Sequence, residues 1–319
     1  MDIKKKNLIS FVIPVFNERE NISQTISDIV SVMKDVHEKY EIEIIFTDNH
    51  SFDGTYEKIV EQGQHWSEIP IKAVRFSRNI GYQLSILNGY RLAAGDCAVQ
   101  LDGDLQDPPS LVLQFLQKWE EGYDVVYGIR KTRKESFVLT FLRKVFYRLM
   151  NKIGDDKFPV DAGDFRLVDR KILRQLEIVE GCDIYIRGII GSMGFNQIGV
   201  PYDRLPRTYG ESKFTNTDLT RLALSGIFGH SDFPLKLARY ISGLISLITI
   251  MLALGYVVGK LMFREMIPPG FTTTTVLILF SLSIITFILS IIGEYLLRIS
   301  RRLNNQSQGI VEMIVTNQD

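Results

Sequence analysis

Cysteine is almost missing from this 319-residue chain: Cys97 and Cys182 stand apart, with no Cys-x-x-Cys spacing. That excludes a disulfide scaffold and a thiolate zinc site. A surplus of either charge is missing too, since 37 Lys and Arg balance 37 Asp and Glu. A protein that coats nucleic acid needs a basic excess to displace counterions, so that class is excluded. Disorder is excluded as well, because 45% of residues are apolar and 11% aromatic, enough for a sizeable core. No secretory leader is visible: the apolar run 8–15 is too short and carries Pro14. The first 235 residues are therefore expected to stay in the cytoplasm.

The apolar excess is clustered after residue 240. Stretches 240–259 and 272–294 meet the requirement of about twenty mainly apolar residues for a spanning helix. Pro268-Pro269-Gly270 lies between them. Lys236, Arg239, Arg298, Arg301 and Arg302 lie on the outer flanks, against only Lys260 and Arg264 between the stretches, which puts both flanks on the cytoplasmic side. The expected layout is a catalytic domain over 1–235, a transmembrane hairpin over 236–303 and a cytoplasmic tail over 304–319. The protein is thus expected in the inner or plasma membrane, multi-pass, with the catalytic domain and both termini cytoplasmic. Segments 136–153 and 218–228 read as interfacial amphipathic helices. In the first, Phe137, Phe141, Val145, Leu149 and Met150 interleave with Arg143, Lys144, Arg148 and Lys152. An ordinary surface helix over the core fits the same pattern.

The first hundred residues alternate strand and helix patterns. Runs 8–15, 43–47, 71–76 and 97–101 read as strands, and 21–40, 54–62 and 81–94 as helices. That alternation predicts an α/β fold with a doubly wound, mostly parallel sheet. Ligands of such sheets bind beyond the carboxyl ends of the strands. Polar clusters fall at those ends: Asn17-Glu18, Asp48-Asn49, Ser77-Arg78-Asn79 and Asp102-Gly103-Asp104. Two carboxylates two residues apart suit Mg2+ or Mn2+ bridging the diphosphate of a nucleotide-sugar. Alone, Asp-x-Asp is a weak signal, and a solvated acidic turn is the bland alternative.

The wider string Asp102-Gly103-Asp104-Leu105-Gln106-Asp107-Pro108-Pro109 is more specific. With Pro14-Val15-Phe16-Asn17-Glu18, Asp48-Asn49-His50-Ser51, Arg78-Asn79-Ile80-Gly81, Gly128-Ile129-Arg130, Gly163-Asp164-Phe165-Arg166 and the segment from Arg207 to Lys213, it resembles family 2 inverting glycosyltransferases of the dolichol-phosphate-mannose synthase-like branch. The order of motifs is kept over about 230 residues, and the two-helix tail looks like that of bacterial polyprenyl-phosphate glucosyltransferases.

The resemblance implies a GT-A fold and an inverting transfer of glucose from UDP-glucose to polyprenyl (undecaprenyl) phosphate. It implies that Pro14, Asn17, Glu18, Asp48, Asn79, Asp102 and Gln106 line the nucleotide-sugar pocket. Asp102 and Asp104 would hold the metal. Arg130, Arg143, Lys144, Arg207 and Lys213 would receive phosphate groups, consistent with the fixed cations an anionic acceptor needs. Asp104, Asp164, Arg130 and Arg207 are the catalytic candidates, Asp164 being the most base-like and Asp161 second. Asn49 and His50 depart from the usual Asp and Gly. The resemblance further implies a homo-tetramer. GDP-mannose and UDP-aminoarabinose remain alternative donors, and a membrane scaffold with a degenerate domain is the non-enzymatic alternative.

Overall fold

Strand β1 (Asn7–Val15) buries every side chain from Ile9 to Val15, as a strand covered on both faces must. In this computed structural model the described residues are 6–130, 162–179, 184–205, 270–303 and 309–318, with single positions at 244, 247, 251 and 258. The chain divides into two units. The first comprises Met1–Arg148, Asp156–Thr215 and Asn305–Asp319; the second comprises Leu149–Asp155 and Asn216–Asn304.

The first unit is built on β1. It pairs in parallel with β2 (Tyr40–Asp48) on one side and β4 (Cys97–Gln100) on the other. β2 continues in parallel to β3 (Ile71–Phe76). Beyond β4 lie β6 (Ala162–Asp169), antiparallel to both its neighbours, then β5 (Val125–Arg130) and β7 (Gln197–Tyr202). The sheet is therefore mostly parallel, as the alternating pattern predicts. Helices α1 (Ile22–Lys34), α2 (Thr55–His65) and α4 (Leu111–Glu120) bury their apolar stripes against Phe11, Ile13, Val15, Ile44 and Phe46. The opposite face, with Val12, Ile45 and Val74, is covered by α3 (Tyr82–Leu92), α5 (Arg170–Glu177) and α6 (Ile186–Ser192). Helix α3 rides directly on β1: a Cβ at Gly89 would come within 2.3 Å of Val12 Cγ1. That contact carries the amino end of α3, with Tyr82, toward the end of β4.

Residues 304–319, read from sequence as a tail, contain an eighth strand, β8 (Val311–Thr316), antiparallel to β3. Its β-branched and apolar run finds a place at the sheet edge, with Met313 and Ile314 half exposed. Asn317 fastens it. The Asn317 side-chain oxygen accepts from Ile71 N at 2.9 Å, and its Nδ2 donates to the carbonyls of Gly63, Trp66 and Ile69 at 2.8, 3.2 and 2.9 Å. One side chain thus closes the end of α2 and the start of β3.

In the second unit the described helix is α7 (Phe271–Leu303), which leaves Phe280, Leu282, Phe287 and Leu289 exposed. The expectation of a multi-pass inner-membrane protein, with the catalytic domain and both termini cytoplasmic, is corrected. Among the described residues no helix is long and apolar enough to cross a membrane. The expected span 240–259 falls almost wholly outside the described residues. The amphipathic segments 136–153 and 218–228 also lie outside the described residues.

Asn317→Ala is expected to lower the unfolding free energy by about 1–3 kcal/mol, because it strands buried main-chain groups. Urea unfolding would show this as a lower midpoint at unchanged slope. An unmoved midpoint would mean that β8 is not held by this side chain.

Candidate active site

Because β1 to β4 are mutually parallel, their carboxyl ends open on one edge and the loops that follow converge there. Three non-glycine residues adopt positive φ among the described residues, Asn17 (52°), His50 (61°) and Leu105 (60°), each in one of these loops. Such backbone is sparsely populated and collects where geometry is imposed by a site. Pro14 lies just past the last β1–β4 pair, Val12 with Gln100. Its missing N–H would face β4, so pairing ends there and the chain after β4 is released as a loop. A Cβ at Gly103 in that loop would meet Val15 Cγ1 at 2.9 Å, so the loop hugs the end of β1.

Asn17 and Glu18 tie the first two loops together. Asn17 N donates to Ser51 Oγ and Asn17 Oδ1 accepts from Phe52 N, both at 2.9 Å. Glu18 N donates to Thr55 Oγ1 at 2.9 Å, and its carboxylate accepts from Asn21 Nδ2 at 2.6 Å. Asp48 is fully buried at the end of β2 and accepts from Ser51 N at 3.1 Å and from the Ser51 hydroxyl. Burial raises its carboxyl above the ordinary range, and the Ser51 bonds with Arg75 offset part of that. Asn49 beside it is buried, its side-chain oxygen without a hydrogen-bond partner among the described residues. His50 Nδ1 lies 3.0 Å from Phe76 O and 3.6 Å from Glu312 of β8, which also reaches Arg75 at 3.7 Å. The carboxyl-terminal strand therefore borders this pocket. Asn79 is exposed, with its oxygen turned back to Gly81 N at 2.9 Å.

The second half of the site is acidic. Asp102 accepts from the Tyr82 hydroxyl and, at 3.0 Å, from Gln100 Nε2. Burial, then repulsion from Asp107, push its carboxyl up to about 6. Asp104 accepts from Gln106 N at 3.2 Å. The Gln106 carbonyl accepts from Leu205 N at 2.9 Å, which draws the end of β7 over the loop. That contact delivers Arg204. Its Nη2 lies 3.5 Å from Asp102 Oδ2 and 3.6 Å from Asp104 Oδ2, and its Nε 3.4 Å from Asp107 Oδ1. Arg130 stands at 3.8 Å from Asp107 and donates to Tyr202 Oη at 3.2 Å; that hydroxyl donates to Asp107 at 2.6 Å. Asp102 and Asp104 bring two carboxylates to one point. No cluster of three or more His, Cys, Asp or Glu arranged to hold a metal occurs among the described residues. One or two carboxylates, completed by water and phosphate oxygens, are the usual shell of such a cation.

Asp164 is gripped by Arg187 of α6 through two bonds, at 2.6 and 2.5 Å. Burial pushes the Asp164 carboxyl up, and Arg187 more than reverses it, leaving the group below its usual range. An ionised, doubly bonded carboxylate is a poor proton acceptor and a good anchor. Arg187, Arg204, Arg75 and Glu312 were not anticipated from the sequence. For Arg187 one signal was visible, a single charge inside the apolar run 184–190. Arg143, Lys144, Asp161, Arg207 and Lys213 lie outside the described residues.

The family model described as Glycosyl transferase family 2 matches residues 10–177. The uncharacterized glycosyltransferase YkcC of Bacillus subtilis is 36% identical over 95% of this chain and 93% of its own length. The uncharacterized glycosyltransferase sll0501 of Synechocystis is 34% identical over 91% of this chain and 90% of its own. The SfII prophage-derived bactoprenol glucosyl transferase of Shigella flexneri is 31% identical over 95% of this chain and 97% of its own. A solved glucosyl-3-phosphoglycerate synthase of Mycobacterium tuberculosis superposes with a TM-score of 0.45 at 20% identity, over 71% of this chain and 79% of that one.

Asp102 carries a pH signature. Its folded value, about 6, exceeds the ordinary 3.8, so its contribution favours the fold below pH 3.8 and is lost as pH rises through 6. Asp102→Asn is therefore expected to stabilise the metal-free protein at pH 7.5 by on the order of 1–3 kcal/mol, with the gain shrinking between pH 6 and 4. Thermal melts across that range check it; a loss of stability at pH 7.5 would contradict it.

Proposed function

The chain belongs to glycosyl transferase family 2, and from that premise we propose that it moves glucose from UDP-glucose to a polyprenyl phosphate, giving the polyprenyl-phosphate sugar. The observation that carries this reading is the charge layout at the end of β4. There Asp102 and Asp104 face a site where the guanidinium groups of Arg204 and Arg130 stand beside Asp107. A diphosphate leaving group and a phosphate acceptor both call for that mix of paired carboxylates and fixed cations. The bactoprenol glucosyl transferase likeness supports the choice of sugar and lipid.

Asp102 and Asp104 are the residues that would hold a divalent cation, Mg2+ or Mn2+, whose chemistry there is neutralisation of the departing diphosphate. Asp48, buried at the end of β2, would contact the base, with Asn17 and Glu18 bonded to the loop that follows it. A lipid monophosphate has its second pKa near 6 and is mostly a dianion at pH 7, so it attacks the anomeric carbon without surrendering a proton. Positioning and charge neutralisation then dominate the rate. Asp164, locked to Arg187, serves as an anchor for the acceptor side of the site rather than as a base.

The decisive assay offers radiolabelled UDP-glucose, UDP-galactose, GDP-mannose and a UDP-aminoarabinose derivative to purified protein with undecaprenyl phosphate and Mg2+. Label is expected to enter the lipid phase from UDP-glucose, and Asp104→Ala is expected to reduce it by roughly 100-fold or more. Transfer from GDP-mannose alone would overturn the donor, and no transfer from any donor would overturn the acceptor. Asp164→Asn is expected to lower transfer without moving its pH profile; loss of the acidic limb would show that Asp164 takes a proton.

A further inference from the structure

We propose that Arg204 is an internal stand-in for the divalent cation. It neutralises Asp102 and Asp104 before the donor arrives and is displaced from them onto the donor's diphosphate when the metal binds. This rests on reading Asp102 and Asp104 as the metal-holding pair.

One nitrogen, Nη2, lies within 3.6 Å of an oxygen from each carboxylate of that pair, and Nε faces Asp107. A divalent cation needs carboxylate oxygens at about 2.0–2.6 Å. A cation held by Asp102 and Asp104 would have to displace the guanidinium nitrogen that already stands between their carboxylates, so the two compete. The arrangement is also loose. All three contacts exceed the length of a good charged hydrogen bond, and both Arg204 Nε and Asp107 Oδ2 are buried without a hydrogen-bond partner among the described residues. A guanidinium whose donors are unmet gains by reaching a ligand that meets them. The two phosphates of a nucleoside diphosphate present oxygens matched to its planar fork.

The backbone beneath Arg204 is in contrast well held. Leu205 N is bonded to Gln106 O, and Tyr202 is bonded through its hydroxyl to Asp107. Only the side chain has to turn. Three carboxylates crowded on one loop would repel one another with no cation present. Arg204 keeps the loop in its binding shape until the metal takes over, and moving to the diphosphate makes metal and nucleotide binding reinforce each other. Such coupling is reciprocal by linkage.

The test is a Mn2+ titration followed by the electron paramagnetic resonance of free Mn2+, with wild type and Arg204→Gln, each with and without UDP. Without UDP, the variant is expected to bind Mn2+ about tenfold more tightly, since its competitor is gone. Addition of UDP is expected to tighten Mn2+ binding about tenfold more in wild type than in the variant. A mere neighbouring charge would alter metal affinity equally in both conditions. An unchanged UDP effect, or metal binding by the variant no tighter than wild type without UDP, overturns the proposal. Arg204→Lys, which keeps the charge but not the fork, is expected to retain weak binding of metal alone and to lose the UDP coupling. It decides the matter should Arg204→Gln fail to fold. Absence of Mn2+ binding by every protein, even with UDP, would sink the metal reading of Asp102 and Asp104 and this inference with it. Failure of glucose transfer in the lipid assay, with the Mn2+ result as expected, would touch only the acceptor and donor reading.

Discussion

Three carboxylates, Asp102, Asp104 and Asp107, share one short loop, and charges of one sign that close are tolerated only when cations stand beside them. Much of the surrounding architecture supplies those cations. β7 ends where it can deliver Arg204, β5 ends at Arg130, and Tyr202 joins Arg130 to Asp107 through a single hydroxyl. Asp164 of β6 is neutralised by Arg187 from helix α6. The acidic loop is thus a demand that elements far apart in the chain combine to meet.

The loop can sit there only because of the sheet beneath it. Pairing of β1 with both β2 and β4 in parallel register brings the ends of three strands to one edge. Pro14 then stops the β1–β4 ladder and Gly103 lets the freed chain fold close over Val15. Positive φ at Asn17, His50 and Leu105 shows where the backbone is bent against its preference, and every one of those bends lies in a loop of this edge. Side-chain bonds from Asn17, Ser51 and Thr55 hold two of the three.

Strands β1 to β4 and helices α1 to α3 were legible because burial on both faces writes continuous apolar runs, and amphipathic burial writes a helical period. Ile71–Phe76 matches its reading residue for residue, and the others differ only at their ends. β8 was missed because a short apolar run near a chain end looks the same whether it pairs or not. Its partner, β3, lies more than two hundred residues earlier. Arg204 was passed over for a similar reason: nothing in its immediate neighbours marks it off from an ordinary surface arginine. The membrane placement drawn from the apolar excess after residue 240 did not survive the structure, which among its described residues has no helix fit to cross a bilayer.

The sequence by itself determined the α/β alternation, the mostly parallel sheet and the placing of polar clusters after β1 to β4, since these depend on local periodicity and on the chemistry of short segments. Tertiary structure alone decided which charges meet. It set Arg187 on Asp164, Arg204 on the acidic loop and Glu312 beside His50 and Arg75. Electrostatic partners are chosen by distance in space, and the distance between residues 102 and 204 exists only once the sheet has folded.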